Sequence, residues 1–297
     1  MESLSSGTHS PRKQERAASI QELRLEYKLS TLLKASGMAK STYHYCVQKA
    51  KQSDKYLKEK EVICQIFHEN YGRYGYRRIT LEVNKRGYNL NHKTVLKLMN
   101  LCGLKCAVRK KKYHSYRGAI GKVAPNILQR DFSTGAPYQK WVTDISEFSL
   151  LGAKRYLSPI MDLYNREIIS FAISDSPNLA MVIDMINNAF NLVPDKTNLI
   201  IHSDQGWHYQ HRTYQNMLIE NGVVQSMSRK GNCLDNAVIE NFFGLLKSEL
   251  LYLREFETME EFIQELNDYI YYYNNQRIKI GLGGLSPVQF RNQVTNQ

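Results

Sequence analysis

The sequence predicts an all-α amino-terminal region followed by an α/β domain with a mixed five-stranded sheet and flanking helices. Hydrophobic residues recur at helical spacing from about Leu25 to Cys106. From about Tyr138 the apolar pattern changes to a period of two in β-rich runs. The charge changes at the same place, because residues 1–130 hold 27 basic and 9 acidic residues whereas residues 131–297 hold 13 and 19.

This charge distribution predicts what the amino-terminal region binds. The net charge of +12 divides into +18 for residues 1–130 and −6 for the remainder. A basic region joined to a mildly acidic one is typical of a polyanion-binding module attached to a second function. A solvated basic surface without a partner is the alternative that composition leaves open.

Composition also excludes several classes of protein. No apolar run approaches the roughly 18 residues of a membrane span, and the first residues lack the apolar segment of a secretory signal. Five scattered cysteines in such a chain do not predict a disulfide framework. A zinc site at Cys102 and Cys106, flanked by His92 and His114, is an alternative to two buried thiols. We expect a cytoplasmic protein with no membrane partner.

The first 54 residues divide into two predicted segments. Residues 1–22 are polar and without periodicity, which predicts a disordered tail. Residues 23–54 form a helix-turn-helix-like segment, in which leucines at helical spacing precede a break at Ala35–Met38 and a second short helix at Ser41–Val47.

Residues 55–107 predict a helical DNA-binding domain. Its helices span Leu57–Asn70, the stretch that follows Gly75 up to about Lys85, and His92–Leu101, with Asn91 as amino-terminal cap and Gly103 as stop. In a helix-turn-helix the second helix enters the major groove, so Lys93 and Lys97 are candidate DNA contacts, and Arg77 and Arg78 are suited to the DNA backbone. The alternative is a three-helix packing unit with a charged outer face.

Residues 108–135 predict a basic linker. It contains Arg109, Lys110, Lys111 and Lys112 with interleaved tyrosines, a composition that can follow a DNA backbone. A solvated connector explains the same composition.

Residues 136–297 show the element order of an RNase H-like fold. Three antiparallel strands, a helix and a parallel strand are followed by a helix, a strand and two helices. The predicted elements are strands Lys140–Leu150, Tyr156–Asp162 and Glu167–Ile173, helix Leu179–Asn191, strand Leu199–His202, helix Gln210–Asn221, strand Val223–Met227, and helices Asp235–Leu251 and Met259–Asn274.

Three carboxylates occupy positions of chemical interest in this topology. Asp144 lies within the first predicted strand, Asp204 at the carboxyl end of the fourth, and Glu240 one turn into the helix for which Asp235 is the expected amino-terminal cap. Clustered carboxylates in a nucleic-acid-binding protein are suited to two Mg²⁺ ions, with Mn²⁺ as an alternative, which promote phosphoryl displacement. Since the chain has 28 acidic residues, position alone is weak evidence.

Local sequence around these carboxylates strengthens the case. The chain resembles the second-frame (OrfB-type) transposases of a large bacterial insertion-sequence family, which carry a DDE site and are relatives of retroviral integrases. Thirty-five residues separate Asp204 from Glu240, which matches that family's spacing, and Lys247 matches its basic residue two turns later. The resemblance rests on Gly75–Ile79, His202–Gln210, Ser226–Cys233, Asp235–Phe243, Tyr273–Arg277 and Leu285–Arg291.

The resemblance implies an activity, a site and partners. The activity is cleavage of a DNA strand at the end of an insertion sequence, then attack of the freed 3′-hydroxyl on another strand. Asp144, Asp204 and Glu240 would be catalytic metal ligands and Lys247 would hold a DNA phosphate near them. The partners would be element ends, target DNA, further copies of the chain on DNA, and a first-frame (OrfA-type) product, in trans or as a fusion.

Some alternatives and departures remain in the sequence. A DNA-binding regulator with an inactive core and a nuclease without strand transfer are the rival functions. Lys279 stands where many relatives have His, and Asn241 where Ser is frequent. We expect His202 to be structural, and Trp207, Phe242 and Phe243 to lie in the core rather than stack on DNA bases.

Overall fold

The computed structural model describes residues 13–51, 54–107, 123–193 and 198–295. The chain divides into two compact units, Met1–Glu61 and Val62–Gln297, and each is described by itself. The predicted order of an all-α region followed by a mixed sheet with flanking helices is confirmed. Among the described residues, no helix is both long enough and apolar enough to cross a membrane.

The first unit is a small helical cluster. Its helices are α1 (Lys13–Leu23), α2 (Leu29–Ser36) and α3 (Lys40–Lys51), and Gly37 ends α2 with a positive φ of 64°. Their shared core consists of Ala17, Ile20, Leu33, Met38, Tyr43 and Cys46. The predicted disordered tail is therefore wrong for residues 13–22, because α1 buries Ala17 and Ile20 against this core; residues 1–12 lie outside the described residues.

Three further helices precede the sheet. They are α4 (Leu57–Glu69), α5 (Tyr76–Lys85) and α6 (His92–Leu101). The Asn91 side chain accepts a hydrogen bond from the Lys93 amide, as expected of an amino-terminal cap. Gly103 follows α6 with a φ of 71°, which suits the predicted stop.

The second unit contains one mixed sheet. In the described residues its strands are β1 (Lys140–Thr143), β2 (Ser146–Leu150), β3 (Ala153–Asp162), β4 (Ile168–Ser174), β5 (Ile200–Ser203) and β6 (Val224–Met227). β3 pairs antiparallel with β1, β2 and β4, whereas β1 with β5 and β5 with β6 are parallel. The sequence predicted five strands, and the described residues contain six, because the first predicted strand is interrupted.

The interruption falls at Asp144 and Ile145. β1 and β2 keep one continuous register against β3, since Thr143 pairs with Ile160 and Ser146 with Leu157. That register sets Asp144 opposite Pro159, which has no amide hydrogen to donate to the ladder. The Ile145 amide donates instead to the Asp144 side chain at 2.7 Å. Asp144 therefore lies at a break in the strand, not within a regular strand.

Helices cover both faces of the sheet. Helices α10 (Ala237–Leu246) and α11 (Met259–Asn275) bury Val142 and its neighbours on one face. Helices α7 (Leu179–Asn191) and α9 (Arg212–Glu220) bury Trp141 on the other. The sheet therefore has a core on each side, as alternating strand residues require.

Several predicted helices differ in detail. The helix predicted at Gln210–Asn221 is preceded by a separate short α8 (Trp207–Gln210), and the carboxyl end has an additional α12 (Pro287–Thr295). The helix predicted to begin at Asp235 begins instead with a 3₁₀ turn, Cys233–Asn236, and continues past α10 as a π-helical segment, Lys247–Leu251.

The expectation that Asp235 caps this helix is wrong. Its buried carboxylate accepts hydrogen bonds from the Arg229 amide and guanidinium, from Arg130 and from Asn126. These bonds, Arg229 first, hold the pKa of Asp235 well below its ordinary value. Asp235 thus ties residues 126–130 to the loop before α10.

We predict that Asp235→Asn lowers the free energy of unfolding by about 1–3 kcal/mol, because charge-assisted hydrogen bonds to a buried carboxylate are removed. Glu147→Gln is the control, since Glu147 pairs with Lys154 at an exposed site and is expected to contribute less than about 1 kcal/mol. Urea unfolding followed by circular dichroism measures both. Equal effects of the two variants would contradict this role for Asp235.

Candidate functional site

Parallel pairing brings Asp144 and Asp204 to the same edge of the sheet. β1 and β5 are in register, with Lys140 opposite Ile200 and Val142 opposite His202. Each aspartate is the first residue after its strand, so this register sets the two opposite each other. Neighbouring strands lie about 4.8 Å apart. Two carboxylates far apart in sequence therefore occupy adjacent strand ends.

Local backbone contacts hold each of these carboxylates. Asp144 Oδ1 accepts the Ile145 amide at 2.7 Å, and Asp204 Oδ1 accepts the Gly206 amide at 2.8 Å. A Cβ at position 206 would lie 2.9 Å from Asp204 Oδ1 and 3.3 Å from the Tyr209 ring, so a larger residue there would displace the Asp204 carboxylate. Within the described part of the chain, neither carboxylate accepts a hydrogen bond from a side chain.

A tether brings Glu240 towards the same edge. The Asn236 side chain donates to the Thr143 carbonyl at 3.2 Å, which fixes the start of α10 beside the end of β1. Glu240 follows Asn236 by four residues and therefore lies on the same helix face. The third predicted carboxylate thus approaches the strand end that carries Asp144.

The electrostatics reflect this crowding of negative charge. Burial first, and then the charges of Asp204 and Glu240, raise the pKa of Asp144 well above its ordinary value, while Lys247 opposes the rise. Burial likewise raises the pKa of Asp204. The three carboxylates therefore interact, and a cation close to them would stabilise their ionised forms.

The side chains do not converge on one point, however. Across residues 13–51, 54–107, 123–193 and 198–295, no group of three or more His, Cys, Asp or Glu side chains is arranged to hold a metal ion as it stands. The predicted ligands are neighbours whose carboxylates would need to reorient to share an ion.

Lys247 lies on the Glu240 face of the same helix. Lys247 follows Glu240 by seven residues, which is almost two full turns. Its Nζ lies 5.3 Å from the centre of the Phe148 ring. Burial lowers the pKa of Lys247, and the charges of Asp144 and Glu147 oppose that effect. The amine is therefore a cation within electrostatic reach of Asp144.

The predicted DNA contacts of the helical region have different environments. Lys93 and Lys97 are exposed on α6, and Arg77 is exposed at the start of α5. Arg78 is packed, with 22% of its side chain exposed and its Nη1 3.9 Å from Glu249 Oε1. Arg109, Lys110, Lys111 and Lys112 lie outside the described residues.

The expectation that three aromatic residues belong to the core is correct for two of them. Phe242 and Phe243 are buried, but Trp207 is 54% exposed. Trp207 opens the short helix that follows Asp204, with its ring 3.9 Å from the centre of the His208 ring. Its place shortly after the end of a predicted strand, outside any periodic apolar run, was the signal that could have revealed this exposure.

His202 is structural in its contacts. Ser226 Oγ accepts the Ile127 and Leu128 amides, so it donates its own hydrogen to His202 Nδ1 at 2.8 Å. Ser228 Oγ donates to the Ser203 carbonyl and therefore accepts from His202 Nε2. Burial lowers the pKa of His202 to about 4, in agreement with this neutral tautomer. The His202 ring thus links β5 to β6 and the residue that follows it through two hydrogen bonds.

Several known protein families and proteins are similar in sequence to this chain. One integrase core domain model matches residues 135–233, a second matches residues 240–294, and an HTH-like domain model matches residues 53–112. The chain is 50% identical over 275 residues to the putative transposase InsK for insertion sequence element IS150 of Escherichia coli (strain K12), covering 93% of this chain and 97% of that relative.

More distant similarities extend the comparison. Transposase InsF for insertion sequence IS3A of Escherichia coli (strain K12) is 31% identical over 280 residues, covering 92% of this chain and 97% of the relative. A solved structure of the HTLV-2 integrase catalytic core domain in complex with magnesium is 16% identical, with a TM-score of 0.43, covering 54% of this chain and 99% of that chain.

We predict that Asp144→Asn raises the melting temperature in metal-free buffer by about 2–4 °C, because it removes a charge that burial and two neighbouring carboxylates destabilise. Asp131→Asn is the control, since the Asp131 carboxylate is exposed and bonded to Lys140 Nζ at 2.7 Å. The control is expected to leave the melting temperature unchanged or slightly lower. A fall for Asp144→Asn in differential scanning calorimetry would contradict the prediction.

Proposed function

The chain belongs to the insertion-sequence transposases with an integrase-type core, and we propose that it cleaves and joins DNA strands at Asp144, Asp204 and Glu240. The observation that carries the proposal is the in-register pairing of β1 with β5, beside the tether from Asn236 to Thr143. The pairing sets Asp144 and Asp204 at adjacent strand ends, and the tether brings the helix face of Glu240 towards them. Such a site suits chemistry on a phosphodiester because carboxylates can hold cations, and cations stabilise the negative charge that develops on the phosphodiester oxygens in the transition state.

The donor set is suited to divalent cations. The three side chains offer only carboxylate oxygens, the ligands that Mg²⁺ and Mn²⁺ prefer. Raised pKa values at Asp144 and Asp204 indicate carboxylates without a sufficient counter-charge. Two bound ions would supply Lewis-acid activation and would stabilise charge on the attacking and leaving oxygens. Reorientation of the three side chains, without movement of β1 or β5, would bring them into a common site.

The bonds made and broken define the reaction. Water attacks a phosphodiester at the element end, the phosphorus–O3′ bond breaks, and the strand keeps a free 3′-hydroxyl. The 3′-oxygen then attacks a phosphorus atom in target DNA and displaces another 3′-oxygen. Lys247, beside Asp144, is suited to hold the phosphate under attack, because its compact ammonium group is a point charge.

The helical region would hold the substrate. Lys93, Lys97 and Arg77 present their charges to solvent on α5 and α6, where a DNA backbone can reach them. The basic stretch Arg109–Lys112 would extend this contact. We expect element ends and target DNA as partners, more than one copy of the chain on DNA, and a first-frame product as an additional partner or fusion. The chain would act in the bacterial cytoplasm, on the nucleoid.

We predict that Asp144→Asn, Asp204→Asn and Glu240→Gln each reduce strand cleavage by at least about 10³-fold and leave DNA affinity nearly unchanged. Cleavage of a labelled element-end duplex with Mg²⁺, and fluorescence anisotropy without it, measure the two properties. Asp175→Asn, an exposed acid of the same domain, is the control.

Different outcomes of this experiment separate the rival functions. Undiminished cleavage in one of the three variants would remove that residue from the site. Cleavage by the wild type without joined products would favour a nuclease. Binding without any cleavage, also with the first-frame product added, would favour a regulator.

We predict that changing Lys93 and Lys97 together to Ala weakens DNA binding and reduces the slope of log affinity against log salt by about 2, roughly one unit for each phosphate that is no longer neutralised. Lys58→Ala, an exposed lysine on α4, is the control. Anisotropy titrations between low and moderate salt give both slopes. An unchanged slope in the double variant would mean that this face of α6 does not contact phosphates.

A further inference from the structure

We propose that Glu249 is a positioning residue that connects the helix carrying Glu240 to the segment leading into α5, and that Arg78 belongs to this connection rather than to the DNA contact surface. The inference rests on the proposed function, because it assigns Glu240 and Lys247 to the reaction. We name the group formed by Arg73, Arg78, Glu249 and Arg277 the coupling site.

The helix that carries Glu240 has two functional faces. It continues from Ala237 through the π-helical segment Lys247–Leu251 without a break. Glu240 and Lys247 share one face, whereas Glu249 follows Glu240 by nine residues, which correspond to two and a half turns. Glu249 therefore points away from the carboxylate site and is only 1% exposed.

A bidentate ion pair holds the Glu249 side chain. Arg277 Nε lies 2.7 Å from Oε2 and Arg277 Nη2 lies 2.6 Å from Oε1. The Tyr269 hydroxyl donates to Oε2 at 3.0 Å. Both charged partners are almost fully buried, so their geometry is restricted and breaking the pair would leave an uncompensated buried charge.

Residues of the helical region reach the same glutamate. Arg73 Nε donates to the Glu249 backbone carbonyl at 3.0 Å, near the end of the helix, where carbonyl groups lack intrahelical donors. The Arg73 guanidinium lies 4.9 Å from the centres of the Tyr71 and Tyr272 rings. Arg78 Nη1 lies 3.9 Å from Glu249 Oε1. Arg73 thus contacts the backbone of Glu249, and Arg78 contacts its side chain.

Two arginines that are neighbours in the sequence have different environments in this arrangement. Arg77 is exposed, whereas Arg78 packs over the Tyr74 ring at 5.4 Å. The Tyr74 hydroxyl in turn accepts the Ile278 amide at 3.1 Å, next to Arg277. Since α5 packs on α6, which carries Lys93 and Lys97, the coupling site joins the proposed DNA-binding helices to the helix that bears Glu240 and Lys247.

The main test uses Arg78→Gln, which leaves the Glu249–Arg277 pair intact and so avoids a buried unpaired charge. We expect its dissociation constant for an element-end duplex to stay within about twofold of wild type. Its single-turnover cleavage rate at saturating DNA is expected to fall by roughly 5–30-fold, the size of a typical coupling between sites. Arg78→Lys retains the charge and is expected to recover part of the rate.

Two other arginines provide the comparison. Arg86→Gln removes a surface pair with Glu69 and is expected to change neither property by more than about twofold. Arg77→Gln is expected to raise the dissociation constant, as for a phosphate contact. Weaker binding by Arg78→Gln with an unchanged rate at saturation would overturn the proposal, and so would a lowered melting temperature with an unchanged rate.

Hydrogen exchange distinguishes failure of this proposal from failure of the proposed function. Arg78→Gln is expected to accelerate exchange of amides in Gly244–Leu251, whereas Arg86→Gln leaves them at the wild-type rate. If the wild type does not cleave DNA, the proposed function fails and the exchange rates still decide whether Arg78 restrains this helix. Identical exchange in Arg78→Gln and wild type would overturn the coupling site.

Discussion

The in-register parallel pairing of β1 with β5 is the constraint on which the candidate site depends. It sets Asp144 and Asp204 side by side although 59 residues separate them in the chain. The cores on both faces of the sheet hold the two strands in this register, because a shift by one residue would turn Trp141 and Val142 to the wrong faces. The energy of hydrophobic packing therefore offsets the repulsion between two neighbouring carboxylates.

Loop and helix contacts refine what the sheet establishes. Gly206 allows the turn that holds the Asp204 carboxylate, and Asn236 fastens α10 to the end of β1. On the other face of the helix that carries Glu240, Glu249 forms a buried ion pair with Arg277. The polar contacts thus orient the loop and the helix of the candidate site, and packing of apolar residues stabilises the fold that carries them.

Sequence periodicity predicted the order of elements and placed Asp204 at the end of a strand, because strand and helix periods are local properties. It did not reveal the break at Asp144, where Pro159 stands opposite in the partner strand. Nor did it reveal that Asp235 binds Arg130, or that Arg78 packs near Glu249, since these contacts join residues distant in sequence. Burial of charged and aromatic side chains is decided by tertiary packing, which periodicity does not describe.

Anomalous diffraction from crystals of the full chain soaked in Mn²⁺ would show whether Asp144, Asp204 and Glu240 bind metal ions. We expect metal peaks within about 2.5 Å of carboxylate oxygens of these three residues, with those side chains reoriented and β1 and β5 unmoved. The peaks should disappear in Asp144→Asn. Well-ordered carboxylates with no peak beside them at millimolar Mn²⁺, or a peak that persists in Asp144→Asn, would contradict this expectation.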